Sequence, residues 1–237
     1  MSQTTINTCD GEQCGYEYEG DGPVYCPECG YKIREEIHRY FTLNQIDDLR
    51  DAAHSREARY NTSLRDETLV VLAADLGLRV NELTQLTRSM FDLDAGEVML
   101  PAQIQKDYPK EDISPSAATL RIDPYQHFNT VRLLRMHFSD LEESGDDYLF
   151  PSRQSDHMST ETARDIVRRL AVEANVAPRR TDGQPADPDE AHPHAFRHSL
   201  ANYMLQDSDT RLVDVRNRLR HRSITTTERV YEHFQRR

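Results

Sequence analysis

Lysine is almost missing from this chain of 237 residues: it stands only at positions 32, 106 and 110, so arginine supplies nearly all of the 29 basic residues. Acidic residues number 41, which leaves a formal charge of −12. Such an acid-rich, lysine-poor composition suits a protein of a halophile, although GC-rich codon usage leaves a similar mark. A negative total does not exclude a nucleic-acid partner. It makes any binding face a local patch, and in strong salt counterion release adds little affinity. Long apolar runs are absent too: none approaches the roughly 18 residues of a membrane-spanning helix. The acidic, cysteine-bearing start does not read as a secretory signal. The expectation is a soluble, cytoplasmic protein with no membrane partner, long enough for one proper core and one small extra module.

Cysteine does not occur after residue 29. Cys9, Cys14, Cys26 and Cys29 are spaced C-x4-C-x11-C-x2-C. Paired spacing suits a tetrahedral S4 site, and nothing points to an oxidising compartment, so structural Zn2+ is expected rather than disulfides. The second cysteine of each pair opens the same tripeptide, Cys14-Gly15-Tyr16 and Cys29-Gly30-Tyr31. Glycine there lets the backbone turn its N–H groups toward the sulfurs. The segment has too few apolar residues to fold on burial alone, so metal binding would supply its stability. Residues 1–35 are read as a zinc ribbon and 36–237 as the main domain.

The main domain reads as mainly α with a small antiparallel β-sheet. A helix entry is expected at Phe41–Asn44, with Ile46, Leu49, Ala52 and Ala53 on one face. A second helix spans about Leu64 to Leu76 and ends at Gly77; a third restarts over 78–86, with Arg79 off its core-facing side. Residues 97–104 and 119–122 are predicted as paired strands around a polar loop that holds Lys106 and Lys110. Lysine can give up a proton at an accessible pKa and arginine cannot, which marks this loop as a place for an ammonium, unless both lysines are merely solvated. Further helices are expected over Pro124–His137 and from a Ser159 cap to Asn175. An exposed loop runs from Ala177 to Pro193, and helices follow from near His194, from Asp209 or Thr210, and after Thr225–Thr227.

The last stretch reverses the overall charge. From His192 to the end there are nine arginines against five acidic residues. Positive charge beside His194, His221 and Tyr231 is what a site handling a phosphodiester needs. His194 and Arg197, three apart on a helix, share a face.

These residues form a pattern: Arg79 in Gly-Leu-Arg-x-x-Glu-Leu, a hairpin lysine, His194-x-x-Arg197-His198, Leu219-x-His221, and Thr226-Thr227-x-x-x-Tyr231-x-His233. It resembles the catalytic domain of the tyrosine recombinase (phage integrase) family, over roughly Phe41 to Phe234. The resemblance implies that family's fold and a site-specific recombinase that cleaves and rejoins double-stranded DNA through a 3′-phosphotyrosine, as a tetramer. It implies Tyr231 as nucleophile, Arg79 and Arg197 as phosphate ligands, His194 and His221 as hydrogen-bonding or acid–base partners, and Lys106, ahead of Lys110, as the acid for the leaving oxygen. The chain departs from the pattern where Arg220 replaces a glycine often found before the penultimate histidine. The connector leads from the cysteine module straight into the catalytic domain, and six residues follow Tyr231. Site recognition is therefore expected to draw on other arms or partner proteins.

Elementary chemistry supports the same roles. Charge accumulates on the non-bridging oxygens of an attacked phosphodiester, and two planar guanidinium forks stabilise it. An aryl phosphate ester conserves the energy of the broken bond, so rejoining needs neither ATP nor a catalytic metal. Two alternatives stand beside this reading. His192, His194 and His198, spaced H-x-H-x3-H, could bind a catalytic metal, or the chain could be a DNA-binding regulator that keeps the fold without turnover.

Overall fold

The computed structural model describes residues 6–12, 14–19, 22–24, 26–31, 33, 36–55, 62–106, 114–145, 147–221, 227–228 and 230–231. The chain divides into two compact units, residues 1–37 and 38–237. In the first, β1 (Ile6–Thr8) and β2 (Glu17–Glu19) pair antiparallel, with Asn7 opposite Tyr18. The Cys9 N–H extends this ladder by donating to the Tyr16 carbonyl at 2.9 Å. A second turn closes where the Cys26 N–H reaches the Tyr31 carbonyl (2.8 Å) and the Gly30 N–H reaches the Cys26 carbonyl (2.9 Å).

The axis of the second unit is α2 (Ser63–Leu76), in which every residue from Leu69 to Leu76 is buried. A helix apolar on all sides needs neighbours on all sides. Here α1 (Leu43–Ser55), α4 (Thr130–Ser144) and α6 (Pro193–Met204) supply them. Two carboxylates buried with it are paired, as buried charge must be. Asp66 meets Arg65 (2.7 Å) and Arg169 (3.1 Å), and Asp75 meets Arg218 (3.2 Å). Gly77 ends α2 in the left-handed region at φ 59°; a Cβ there would lie 2.8 Å from both Leu200 Cδ2 and Leu219 Cδ2. The short α3 (Val80–Thr84) follows at once.

The sheet has three antiparallel strands, β4 (Phe91–Asp92), β5 (Glu97–Leu100) and β6 (Ala118–Arg121), with Val98 opposite both Phe91 and Leu120. The predicted strand over 97–104 is cut short. Pro101 follows Leu100 and a 3-10 turn, Ala102–Ile104, takes over. The helix expected over Pro124–His137 is displaced as well. Its first residues form turns in which Asp123, Gln126 and Asn129 have positive φ, and the Asp123 carboxylate accepts from the His127 (2.9 Å) and Phe128 (3.2 Å) N–H groups. The helix α4 begins only at Thr130 and runs past the expected end at His137 to Ser144, ending at Gly145 (φ 77°). Ser159 does cap α5 (Thr160–Glu173), accepting from the Thr162 N–H at 3.0 Å. Within the expected loop 177–193, β7 (Arg179–Arg180) pairs with β3 (Arg39–Tyr40). An Arg39–Glu190 ion pair holds the same corner. Pro193 opens α6, and α7 (Leu212–Leu219) is the last labelled helix.

One apolar core extends from Phe41 to Phe196. A second, smaller cluster contains Leu200, Ala201, Met204, Val215, Leu219, Val230 and Tyr231.

Candidate active site

The junction of α2 and α3, the first turns of α6 and the end of α7 meet around one guanidinium. Arg197, on α6, is 1% exposed. Its Nη1 donates to the Gly77 carbonyl at 2.6 Å and its Nη2 to the Leu219 carbonyl. Both acceptors lie at helix ends, where carbonyls lack partners within the helix. One side chain thus ties α6 to the ends of α2 and α7. Burial and the nearby Arg79 charge lower its pKa to about 9, so it stays charged at neutral pH.

Arg79 is the N-cap of α3. Glu82, at the third helical position, reaches back so that its Oε2 accepts the Arg79 backbone N–H (2.9 Å) while its Oε1 takes Arg79 Nη1 (3.0 Å). This is half of a capping box, and it fixes the arginine's entry angle. Glu82 is fully buried, and a second arginine, Arg220, also donates to its Oε2, at 2.5 Å.

Tyr231 is 1% exposed and belongs to the smaller core. Residues 227–228 and 230–231 are helical. The tyrosine ring lies parallel to His221 (centroids 5.9 Å apart, planes at 2°) and across His198 (5.6 Å, 61°). Burial raises the phenol's pKa while the Arg197 and Arg79 charges pull it down, so both guanidiniums lie within electrostatic reach of it. His221 shares a hydrogen bond of 2.9 Å between its Nδ1 and Thr227 Oγ1. Burial, then the charges of Arg197 and Arg79, push its pKa down to about 3, leaving a neutral ring.

His194 stands in the first turn of α6, edge-on to His198 (4.7 Å, 84°). Desolvation and the Arg197 charge lower its pKa too. At the level of the whole residue His194 is exposed and His221 half-buried. His198 itself is buried, with no hydrogen-bond partner for Nδ1 among the described residues, and burial holds its pKa well below the usual value.

A model of the phage integrase family matches residues 39–237. The chain belongs to the phage integrase family. It is 29% identical over 171 residues to tyrosine recombinase XerC of Xanthomonas axonopodis pv. citri, covering 72% of this chain and 47% of that protein. It is 26% identical over 205 residues to tyrosine recombinase XerD of Haemophilus influenzae, covering 85% of this chain and 60% of that protein. The chain therefore spans about half to three-fifths of these relatives' length. Among solved structures, XerA recombinase aligns with a TM-score of 0.60 at 23% identity, over 81% of this chain and 57% of that one. XerH recombinase bound to difH substrate aligns at 0.58 and 21%, over 81% and 49%. These likenesses show the integrase fold, mainly helical with small antiparallel sheets.

Of the residues predicted for the site, Arg79, Arg197, His194, His221 and Tyr231 come together. Lys106 is exposed at the edge of the described part of its loop, beyond the 3-10 turn rather than directly after the strand. Asn81 Nδ2 reaches the Ile104 carbonyl (3.5 Å), linking that turn to the helix that Arg79 caps. Lys110, Thr226 and His233 lie outside the described residues. The roles of Glu82, His198, Thr227 and Arg220 were not read from the sequence. The signal for Glu82 was its spacing of three from a helix-starting residue; His198, Thr227 and Arg220 stand in or beside the motifs of the pattern, but their contacts join distant segments.

Among the described residues, only Cys9, Cys14, Cys26 and Cys29 bring metal-ligating atoms together, so the triplet of His192, His194 and His198 does not form a metal site. The four Sγ atoms lie within 4.8 Å of one another, with Cys9–Cys29 and Cys14–Cys26 both at 3.6 Å. A tetrahedron built on metal–sulfur bonds of ~2.3 Å has edges of about 3.8 Å, so the set fits a metal ion. Of the two glycines expected to turn tightly, Gly30 has φ 75° and Gly15 does not have a positive φ. Gly11 is the closer constraint: a Cβ there would stand 2.7 Å from Cys29 Sγ.

Proposed function

We propose that this chain carries the catalytic machinery of a site-specific DNA recombinase that cleaves and rejoins strands through a covalent 3′-phosphotyrosine. The observation that carries this is the meeting of Tyr231 with His221 at 5.9 Å, in the combined field of Arg197 and Arg79. In this reading Tyr231 Oη attacks phosphorus, and the bond to the 5′ oxygen breaks. Arg79 and Arg197 hold the non-bridging oxygens as their charge grows. One of the neutral imidazoles, His194 or His221, takes the phenol proton as Oη attacks, the other supplies a hydrogen bond, and Lys106 gives its proton to the leaving 5′ oxygen. Tyr231 is enclosed, so its phenol must become accessible before a duplex phosphate can meet it. Double-stranded DNA as partner is supported by structural neighbours, among them XerH bound to difH substrate and the Tn1549 integrase in complex with transposon right-end DNA. A tetramer on two duplexes completes the proposal.

The cysteine cluster, in this reading, binds one structural Zn2+, making residues 1–35 a zinc ribbon and 36–237 the catalytic domain. The preponderance of 41 acidic over 29 basic residues supports work in concentrated salt, to be checked by whether molar KCl raises the unfolding midpoint.

A nicked suicide duplex tests the central reading. The chain should become covalently attached to DNA, with the adduct mapping to Tyr231 and disappearing in Tyr231→Phe; an adduct that survives this substitution would overturn the assignment. The burial and raised pKa of Tyr231 favour one second reading, a DNA-binding regulator without turnover. Tight DNA binding with no adduct at any exposure time would select it.

A further inference from the structure

We propose that Arg220 is a positioning residue of the phosphate site, sharing the Glu82 carboxylate with Arg79 so that Arg79 is held in place without being neutralised. This rests on the reading above and goes beyond it. Arg220 ends α7 in the left-handed region, at φ 54° and ψ 43°. Glycine takes that conformation without strain, and an arginine has no local reason to do so. What the strained backbone achieves is placement. The Arg220 side chain is 10% exposed and donates Nη2 to Glu82 Oε2, the same oxygen that accepts the Arg79 backbone N–H.

The charge balance explains why this matters. Glu82 with Arg79 alone would be a closed ion pair, with the carboxylate competing against an incoming phosphate for the guanidinium. Adding Arg220 and Arg197 sets three guanidiniums against one buried carboxylate. Such a cluster lacks an anion. The Nε and Nη1 of Arg220 are buried without a hydrogen-bond partner among the described residues, which also points to a missing acceptor. The groups that face Arg220 are Glu82, Arg79 and Arg218, and its charge also reaches Arg197 and His221. Its backbone begins the turn that sets His221, whose N–H donates to the Arg216 carbonyl at 3.0 Å.

Arg220→Gly removes the guanidinium while suiting the left-handed backbone, so the variant should fold; Arg220→Lys keeps the charge and loses the fork. Two readouts separate positioning from mere structure. The first is single-turnover attachment to the nicked duplex. Arg220→Gly should slow it about 10–100-fold at saturating DNA with less than about a threefold change in Kd, and Arg220→Lys should fall between. The second needs no turnover. Exchanging chloride for 50 mM inorganic phosphate at constant ionic strength should raise the unmodified protein's Tm by about 3–5 °C, a rise that Arg220→Gly largely loses. Full attachment rate and full phosphate response in Arg220→Gly would overturn the proposal. An unmodified protein that forms no adduct but shows the Arg220-dependent phosphate response would sink the recombinase reading alone. Absence of both adduct and phosphate response in the unmodified protein would sink the two together.

Discussion

Replacing Arg197 by alanine should unfold the second unit at a markedly lower temperature, in addition to abolishing the proposed strand cleavage. The guanidinium is 1% exposed and holds the Gly77 and Leu219 carbonyls. A hydrogen bond from a charged donor contributes about 1.5–3 kcal/mol, and a buried carbonyl stripped of its partner loses a comparable amount. Two such bonds set an upper bound near 6 kcal/mol. Against this stand the desolvation of Arg197 and its repulsion by Arg79 and Arg220, both relieved on deletion. A net loss of about 2–4 kcal/mol remains. For a unit of this size each kcal/mol lowers Tm by about 2–4 °C, so the expected fall is roughly 4–16 °C. Arg197→Lys can keep one of the two carbonyls and should fall between. Arg79→Ala provides the contrast. Its side chain is 23% exposed, and Arg220 still pairs with Glu82 after its loss, so it should melt within about 2 °C of the parent while cleaving no better than Arg197→Ala. Circular dichroism at 222 nm during heating, in each variant and in Tyr231→Phe as control, measures the ordering. If Arg197→Ala melted together with Arg79→Ala, the structural role derived for Arg197 would be wrong.

Gly77→Ala should destabilise by about 1–3 kcal/mol, because its φ of 59° strains a side chain and the new Cβ meets Leu200 and Leu219 at 2.8 Å; urea unfolding with an unchanged m-value would measure it. His221 is neutral in the fold and charged in the unfolded chain at mild acidity, so the unfolded state binds more protons. Its contribution is present above pH ~6.5 and is lost as pH falls toward its folded value of about 3. Asp75 acts in the opposite sense. Desolvation, opposed by the Arg218 charge, lifts its pKa to about 6, so it favours the fold as pH falls from 6 toward 4. The sensitive measure is thus a difference: between pH 7.5 and 5.0, His221→Asn should lose about 1–2 kcal/mol less stability than the parent. Metal analysis should find one zinc per chain, absent in Cys26→Ser and retained in His194→Ala; retention in Cys26→Ser would exclude the four-cysteine site.

The elements legible in the sequence were those whose cause is local. The α2 helix was visible because its apolar residues recur without interruption and Gly77 stops it. Ser159 was visible as a cap because its hydroxyl acts three residues away. The cysteine cluster was visible because ligand spacing is itself a short-range geometric constraint. The Pro124–His137 helix was misplaced because Asp123 captures the next N–H groups in a turn, a competition that apolar spacing does not register. The two-residue strands β3 and β7 escaped notice because their pairing spans about 140 residues and leaves no period in either.

The candidate site divides along the same line. Arg79, His194, Arg197, His221 and Tyr231 were named through the resemblance of their order to the phage integrase pattern; on its own segment Arg79 reads as a solvated arginine. That Arg197 is also a brace, that Glu82 serves two arginines and that Tyr231 is packed as core could not be read from that order. Those facts depend on where distant helix ends meet, and a buried guanidinium or carboxylate takes its role from the acceptors and charges that the fold brings to it. Sequence by itself determined the chemistry at hand; only the tertiary structure decided how the charges are shared.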